Sequence, residues 1–315
     1  MMKILLLLIV ALLLSLPVAA AEQLKIGLLL IEDSIPFWVA KQENYYQQQG
    51  VNVELIPFLS ALERDSALAV GAIDGAISDP VGAILFDKGT GRLKITSLGL
   101  GKTPAEGVFV ILAAPKSDLT TVEQLKGVEI AVSNSTIIEY VTDKLLENEG
   151  FSPDDINKIE VKKMPIRMQM LLSNSVAAAT LPEPLASIAV AKGAHALLKD
   201  SDAQQSLSQT VIIFRSEVLT QKKMAVQKFF KAYRDAVKSI NASPEKFRPL
   251  FLEKGRIPAF MAADYPIPVY PDPEPFSIDL YQPIISWLAA KGLADEIAYE
   301  KMVSQDFMSA QSHDD

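Results

Sequence analysis

Apolar positions along the chain switch repeatedly between two periods. "QLKIGLLLIED" (23–33) is a short apolar run of the kind a buried strand makes, and "SIPFWVAKQENYYQQQG" (34–50) then repeats its apolar residues at helical spacing up to Gly50. "VNVELIPF" alternates as a strand does, "SALERDSALAVG" reads as a helix, and "AIDGAISDP" is a short buried strand stopped by Pro80. The same grammar restarts with "LKGVEIAVSN", a helix from about Thr136 to Glu149, the strand "KIEVKKMP", another helix, and "VAAATLPEP". A further apolar strand, "QTVIIFRSEVL", follows the polar segment "KDSDAQQSLSQ". The rest is largely helical apart from "YPIPVYPDPEPF", whose prolines exclude regular structure. Strands alternating with helices predict an α/β fold with mainly parallel sheets. The two α/β units resemble each other in pattern rather than in letters, and no fixed-period repeat is visible.

Composition narrows the setting. Residues 1–21, "MMKILLLLIVALLLSLPVAAA", put one lysine ahead of an apolar run and finish in small residues, the pattern of a secretory signal cleaved after Ala20 or Ala21. An uncleaved anchor is the alternative, since the run nearly spans a bilayer; no later segment has spanning length. A chain of 315 residues, 49% hydrophobic, can bury two cores. The absence of cysteine excludes disulfides, thiol nucleophiles, zinc–thiolate sites and a lipidated cysteine after the signal, which makes a free periplasmic protein the simplest expectation. A formal charge of -8 argues against nucleic-acid or anionic-membrane partners, which need a basic surface. The two histidines, His195 at an alanine-rich helix end and His313 in the tail, cannot build a histidine triad or a multi-histidine metal site, and no cofactor is expected.

Four stretches carry a family resemblance: "YYQQQGVNVELIPF" followed by "ALAVGAIDGAISD", then "EGVFVILAAPKSDLTTVEQLKGVEIAVSNST", "ATLPEPLASIAVAKGAHALLKD" and "YQPIISWLAAKGL". In order and spacing they resemble the periplasmic solute-binding proteins of ABC importers, in the nitrate, sulfonate, taurine and thiamine-precursor branch. The resemblance covers nearly the whole mature chain. It implies a two-lobed binding-protein fold of the second type, with ligand clamped between the lobes. It also implies a discontinuous first lobe (22–106 and 207–315) and a second lobe at 107–206. The implied partners are a small-molecule ligand and a permease in the inner membrane; a monomer is expected.

In open α/β sheets ligands collect beyond the carboxyl ends of strands, where loops lead into helix N-termini. Ser133, Asn134, Ser135 and Thr136 stand at such a junction, where free N–H groups and hydroxyls can face a ligand acceptor; the competing use is helix capping. In the first unit the equivalent junction offers Ser34 as a donor and Phe37 or Trp38 as a flat wall, unless the two aromatics pack inward. Asp79 and Glu183 end strands at the expected rim, against capping or turn roles beside Pro80 and Pro184, and Glu106 sits at the expected lobe crossing, as a ligand acceptor or a solvated hinge residue. The methionines around Arg167 and the Phe229, Phe230, Tyr233, Val237 stripe read as core. "TSLGLGKT" lacks the first glycine of a phosphate loop and is followed by Pro104.

With Asp33, Asp79, Glu106 and Glu183 in the candidate loops and only Lys102 and Arg167 as nearby cations, the ligand expected is one with amino or ring N–H donors, such as a thiamine-type aminopyrimidine. An alkanesulfonate, taurine or other small anion on helix N-termini is the alternative. So is a sensor for a membrane signalling partner, or an enzyme making pyrimidine or menaquinone precursors. The absence of a histidine–carboxylate cluster favours a non-catalytic receptor.

Overall fold

The computed structural model describes residues 22–307. The expected export signal and His313 lie outside the described residues. Strands β1 (Gln23–Leu29), β2 (Asn52–Phe58), β3 (Gly75–Ser78), β4 (Leu93–Leu100) and β10 (Thr210–Arg215) form one sheet in the order β2-β1-β3-β10-β4. Strands β5 (Phe109–Ala113), β6 (Glu129–Val132), β7 (Asn157–Glu160), β8 (Ala178–Pro182) and β9 (His195–Lys199) form the second, in the order β7-β6-β8-β5-β9.

In each sheet four strands share one direction and one opposes them. The opposed strand is β10 in the first sheet, antiparallel to β3 and β4, and β5 in the second, antiparallel to β8 and β9. The chain path gives the reason. The co-directional strands end at the gap between the sheets. β5 and β10 are the strands the chain enters after crossing that gap, so they begin there and must run the other way. The two crossing segments touch. A Cβ at Gly107 would lie 2.5 Å from Asp200 Oδ1, and one at Gly101 would lie 2.7 Å from the Ser208 carbonyl oxygen, so glycine is required at both.

The helices that position the site are α1 (Ile35–Gln42), α2 (Ala61–Ala69), α3 (Pro80–Asp87), α4 (Ile137–Asn148), α5 (Met164–Leu172), α6 (Leu185–Ala191), α7 (Lys223–Ala242) and α8 (Ile278–Ala290). The helical pattern expected to run to Gly50 breaks at Asn44, which takes a left-handed φ of 60°, and resumes over Tyr45–Gln48. His195 differs from its expected place. α6 stops at Ala191, Gly193 turns the chain at φ 99°, and His195 opens the edge strand β9, where Leu198 pairs with Ile111 of β5. The α7 stripe of Phe229, Phe230, Tyr233 and Val237 is buried, and Phe37 stacks into it, 4.9 Å from Tyr233 and 5.9 Å from Phe229 between ring centroids. The proline-rich stretch has no helix or strand from 265 to 277 but is anchored by buried Tyr265, Tyr270 and Phe276. No helix among the described residues is long and apolar enough to cross a membrane.

Candidate ligand-binding site

The strand ends that face the gap carry the polar residues. After β1 the chain makes a tight turn in which Glu32 and Asp33 are buried. After β3, Asp79 caps α3, its Oδ1 accepting the Gly82 N–H at 2.7 Å with Pro80 at the first helical position. After β6, Thr136 caps α4 by accepting the Ile138 N–H at 3.2 Å. After β8 comes Glu183, which accepts the Ser187 N–H at 3.1 Å and the Ser187 hydroxyl at 2.9 Å. Glu32, Asp33, Arg64 and Asp79 from the first sheet's elements, and Ser133, Thr136 and Glu183 from the second's, all border one cavity of about 40 Å³. Ligand pockets for small organic molecules are commonly about 300–1,000 Å³. A solute of more than a few atoms therefore enters only if the two sheets separate or side chains swing aside.

Four carboxyl groups kept from water stand within the mostly apolar lining of the cavity. Burial pushes Glu32 up to about 8, against a smaller opposing effect of its hydrogen bond from Tyr265. Burial also raises Asp33 to about 7, with Arg64 pulling it back. Asp79 and Glu183 are raised for the same reason, moderated at Asp79 by Arg64 and by the N–H groups of Gly82 and Ile137. Ile137 is the first residue of α4, so a carboxylate from the first sheet's side meets the helix N-terminus on the second's. Tyr265 closes the site from the proline-rich loop. Its phenol donates to Glu32 and lies 3.3 Å from Glu183 Oε2, tying a carboxyl from each side.

Two cations border this cavity, the exposed Lys162, 3.8 Å from Glu160, and Arg64. Arg64 is buried on α2, donates Nη1 to the Ile77 carbonyl at 3.1 Å and Nε to Asp65 at 2.8 Å, and lies 3.9 Å from Asp79 through Nη2. Arg167, expected near the ligand, is its counterpart in the second unit. It braces the Thr180 and Val161 carbonyls at 3.1 and 2.7 Å, and burial lowers its pKa to about 10. Lys102 is exposed and paired with Glu274 at 2.8 Å.

Of the ten residues singled out from the sequence, Asp79, Ser133, Thr136 and Glu183 border the cavity and six do not. Ser34 is fully buried and donates to the Ile31 carbonyl at 2.8 Å. Phe37 is in the α7 core, and Trp38, half-buried, lies beneath the Lys254 ammonium at 4.7 Å. Asn134 and Ser135 are exposed; Ser135 has a left-handed φ of 58° and gives its N–H to Glu139 at 2.7 Å. Glu106 holds the crossing segment, accepting the Gly101 and Lys102 N–H groups at 3.0 and 2.9 Å. A local backbone or core demand captures the side chains of Ser34, Phe37 and Glu106. Glu32, Arg64 and Tyr265 were missed. Glu32 ends an apolar run, Arg64 sits in an amphipathic helix, and Tyr265 lies 233 residues along the chain from Glu32, so only Glu32 had a local signal.

A larger groove of about 1160 Å³ lies between α4, β9 and α8. Its buried charges are matched: Lys158 and Lys291 both pair with Asp143 and with the adjacent Glu139 at 2.6–2.8 Å, and Trp287 donates to Asp143 at 3.2 Å. That leaves the smaller cavity, with its unmatched polar atoms, as the better ligand site. No group of three or more His, Cys, Asp or Glu among the described residues is arranged to hold a metal ion.

Known proteins place the fold. The ligand-binding component of an ABC-type import system from Staphylococcus aureus, solved with zinc bound, superposes with a TM-score of 0.76 at 19% identity, covering 93% of this chain and 100% of that one. The alkanesulfonate-binding protein SsuA from Xanthomonas axonopodis pv. citri, bound to MOPS, gives 0.74 at 19% identity over 90% and 97%. The periplasmic nitrate-binding protein NrtA from Synechocystis PCC 6803 gives 0.68 at 13% identity over 91% and 87%. No curated protein matches the chain in sequence. This is the periplasmic binding-protein fold. Residues 19–250 match the family model, and the chain belongs to the NMT1-like family.

Proposed function

We propose that the chain is the solute receptor of an ABC importer in the periplasm. Residues 22–106 and 207–315 act as one lobe and 107–206 as the other, with ligand held between them. The observation that carries this reading is the single cavity bordered by strand ends of both sheets. A ligand touching both sides stabilises the approach of the sheets, whereas one held by a single side cannot shift that balance. Closure is then the signal to the permease.

The ligand class favoured is one with N–H donors, such as a thiamine-type aminopyrimidine. Glu32, Asp33, Asp79 and Glu183 supply acceptors from both lobes and outnumber the two cations, the exposed Lys162 and Arg64, of which only Nη2 is free of a hydrogen bond. A small anion is the second reading, favoured by the α4 N-terminus. The Asp79 carboxyl approaches the Ile137 N–H there, and a sulfonate could replace it.

Calorimetric titration of the mature chain with an aminopyrimidine, taurine, an alkanesulfonate and nitrate, paired with small-angle scattering, tests both. The expected result is binding of the aminopyrimidine with a fall in radius of gyration. Tight binding of the anions alone overturns the ligand class; binding without compaction overturns the receptor mechanism. Changing Asp79 and Glu183 to their amides separates receptor from enzyme: affinity changes in the first case, and turnover collapses in the second.

A further inference from the structure

Three side-chain atoms on residues bordering the small cavity are buried without a hydrogen-bond partner: Arg64 Nη2, Asp33 Oδ1 and Thr210 Oγ1. Arg64 is 1% exposed and Asp33 and Thr210 6% each, so bulk water does not compensate them. Buried polar atoms in native folds nearly always have a partner, and three orphans around one cavity point to a shared one. Their chemistry differs: a guanidinium N–H can only donate, an ionised carboxylate oxygen only accepts, and a threonine hydroxyl does either.

We propose that Arg64, Asp33 and Thr210 form a polar subsite in the first lobe. It reads a neutral edge with an acceptor beside a donor, of the carboxamide or lactam type, as the head of the transported solute. This deepens the receptor reading and rests on it. A carboxylate or sulfonate head answers Arg64 but confronts Asp33. An ammonium or amidinium answers Asp33 but confronts Arg64. A carboxamide gives its oxygen to Arg64 Nη2 and an N–H to Asp33, with Thr210 adjusting to whichever lone pair or proton remains. The 40 Å³ volume suits a head of a few heavy atoms, with the rest of the solute extending toward Glu183 and the other lobe once the sheets part. The wider electrostatics agree. With Glu32 raised to about 8, and Asp79 and Glu183 raised by burial, the carboxyl excess around Arg64 is reduced, so a neutral head is not rejected by net charge; Asp33, raised only to about 7, is the acceptor that ionises first above neutral pH.

Three probes of nearly one shape isolate the point: acetamide, acetate and acetamidinium, compared at pH 8, where Asp33 is mostly ionised, by saturation-transfer NMR with competition titration. The expected result is millimolar acetamide binding at least tenfold tighter than that of either ion. Thr210→Val removes an atom that has no partner in the fold, so it should leave the melting temperature unchanged or higher and weaken acetamide at least threefold. Asp33→Asn should shrink acetamide's advantage over acetate. Arg64→Met is a poorer test, because Arg64 also braces Ile77. Equal or tighter binding of acetate or acetamidinium overturns the proposal. So does acetamide binding indifferent to Thr210→Val and Asp33→Asn, or the absence of binding by all three, which would leave solvent as the partner of the orphans. None of these outcomes touches the receptor reading, whose own test is compaction on binding a whole solute.

Discussion

Glu32 is a carboxyl that the fold buries against its own ionisation, and replacing it by glutamine has a calculable effect. Its pKa rises from 4.5 to about 8. At roughly 1.4 kcal/mol per unit, forcing Glu32 to ionise in the fold costs about 5 kcal/mol. The sign follows from linkage: a raised folded-state pKa gives stability that is fully present below pH 4.5 and lost as pH rises through 8. At pH 7 the loss is about 3 kcal/mol, because the unfolded carboxyl is almost fully ionised and the folded one is not. Glu32→Gln keeps an acceptor for the Tyr265 phenol and removes the titration. Thermal unfolding of both proteins from pH 4 to 8.5 should give coincident melting temperatures at the acid end and a widening gap in favour of Glu32→Gln toward pH 8. At about 2 °C per kcal/mol for a chain of this size, the gap at pH 7 is about 6 °C. Parallel curves across the range would show that Glu32 titrates as an ordinary carboxyl and would refute the reasoning.

Phe37→Ala should destabilise the fold by about 3–5 kcal/mol in urea, since it empties space beside Phe229 and Tyr233, while ligand affinity of the folded protein stays unchanged. Gly107→Ala should cost about 1–3 kcal/mol, because its Cβ meets Asp200 and the Ser201 backbone nitrogen at 2.5 and 2.6 Å; chemical denaturation reads the loss. Glu139 behaves oppositely to Glu32. Burial would raise it, but Lys158 and Lys291 outweigh that and hold it at about 2, so its contribution is present above pH 4.5 and lost as pH falls toward 2. Lys291→Met should reduce that acid-side loss, visible as a shallower fall of melting temperature between pH 5 and 3 than in the parent protein.

The alternation of apolar runs with helical spacing was enough to give two α/β units and their order, because strand and helix periods depend on which neighbours along the chain are apolar. It also marked the junctions where Asp79, Thr136 and Glu183 stand, since a strand end followed by a cap or proline is a local signal. Three-dimensional packing decided which side chains reach the gap. Phe37 and Ser34 follow the same strand as Glu32, yet α7 buries the ring and the Ile31 carbonyl takes the hydroxyl. Arg64 and Tyr265 meet the strand ends through a helix and a proline-rich loop that no local pattern connects to them. Sequence spacing states which face of an element is apolar; where that face lies, and which polar atoms it strands without partners, depends on contacts between residues far apart in the chain. The direction of β5 and β10 is of the same kind, set by a crossing between sheets.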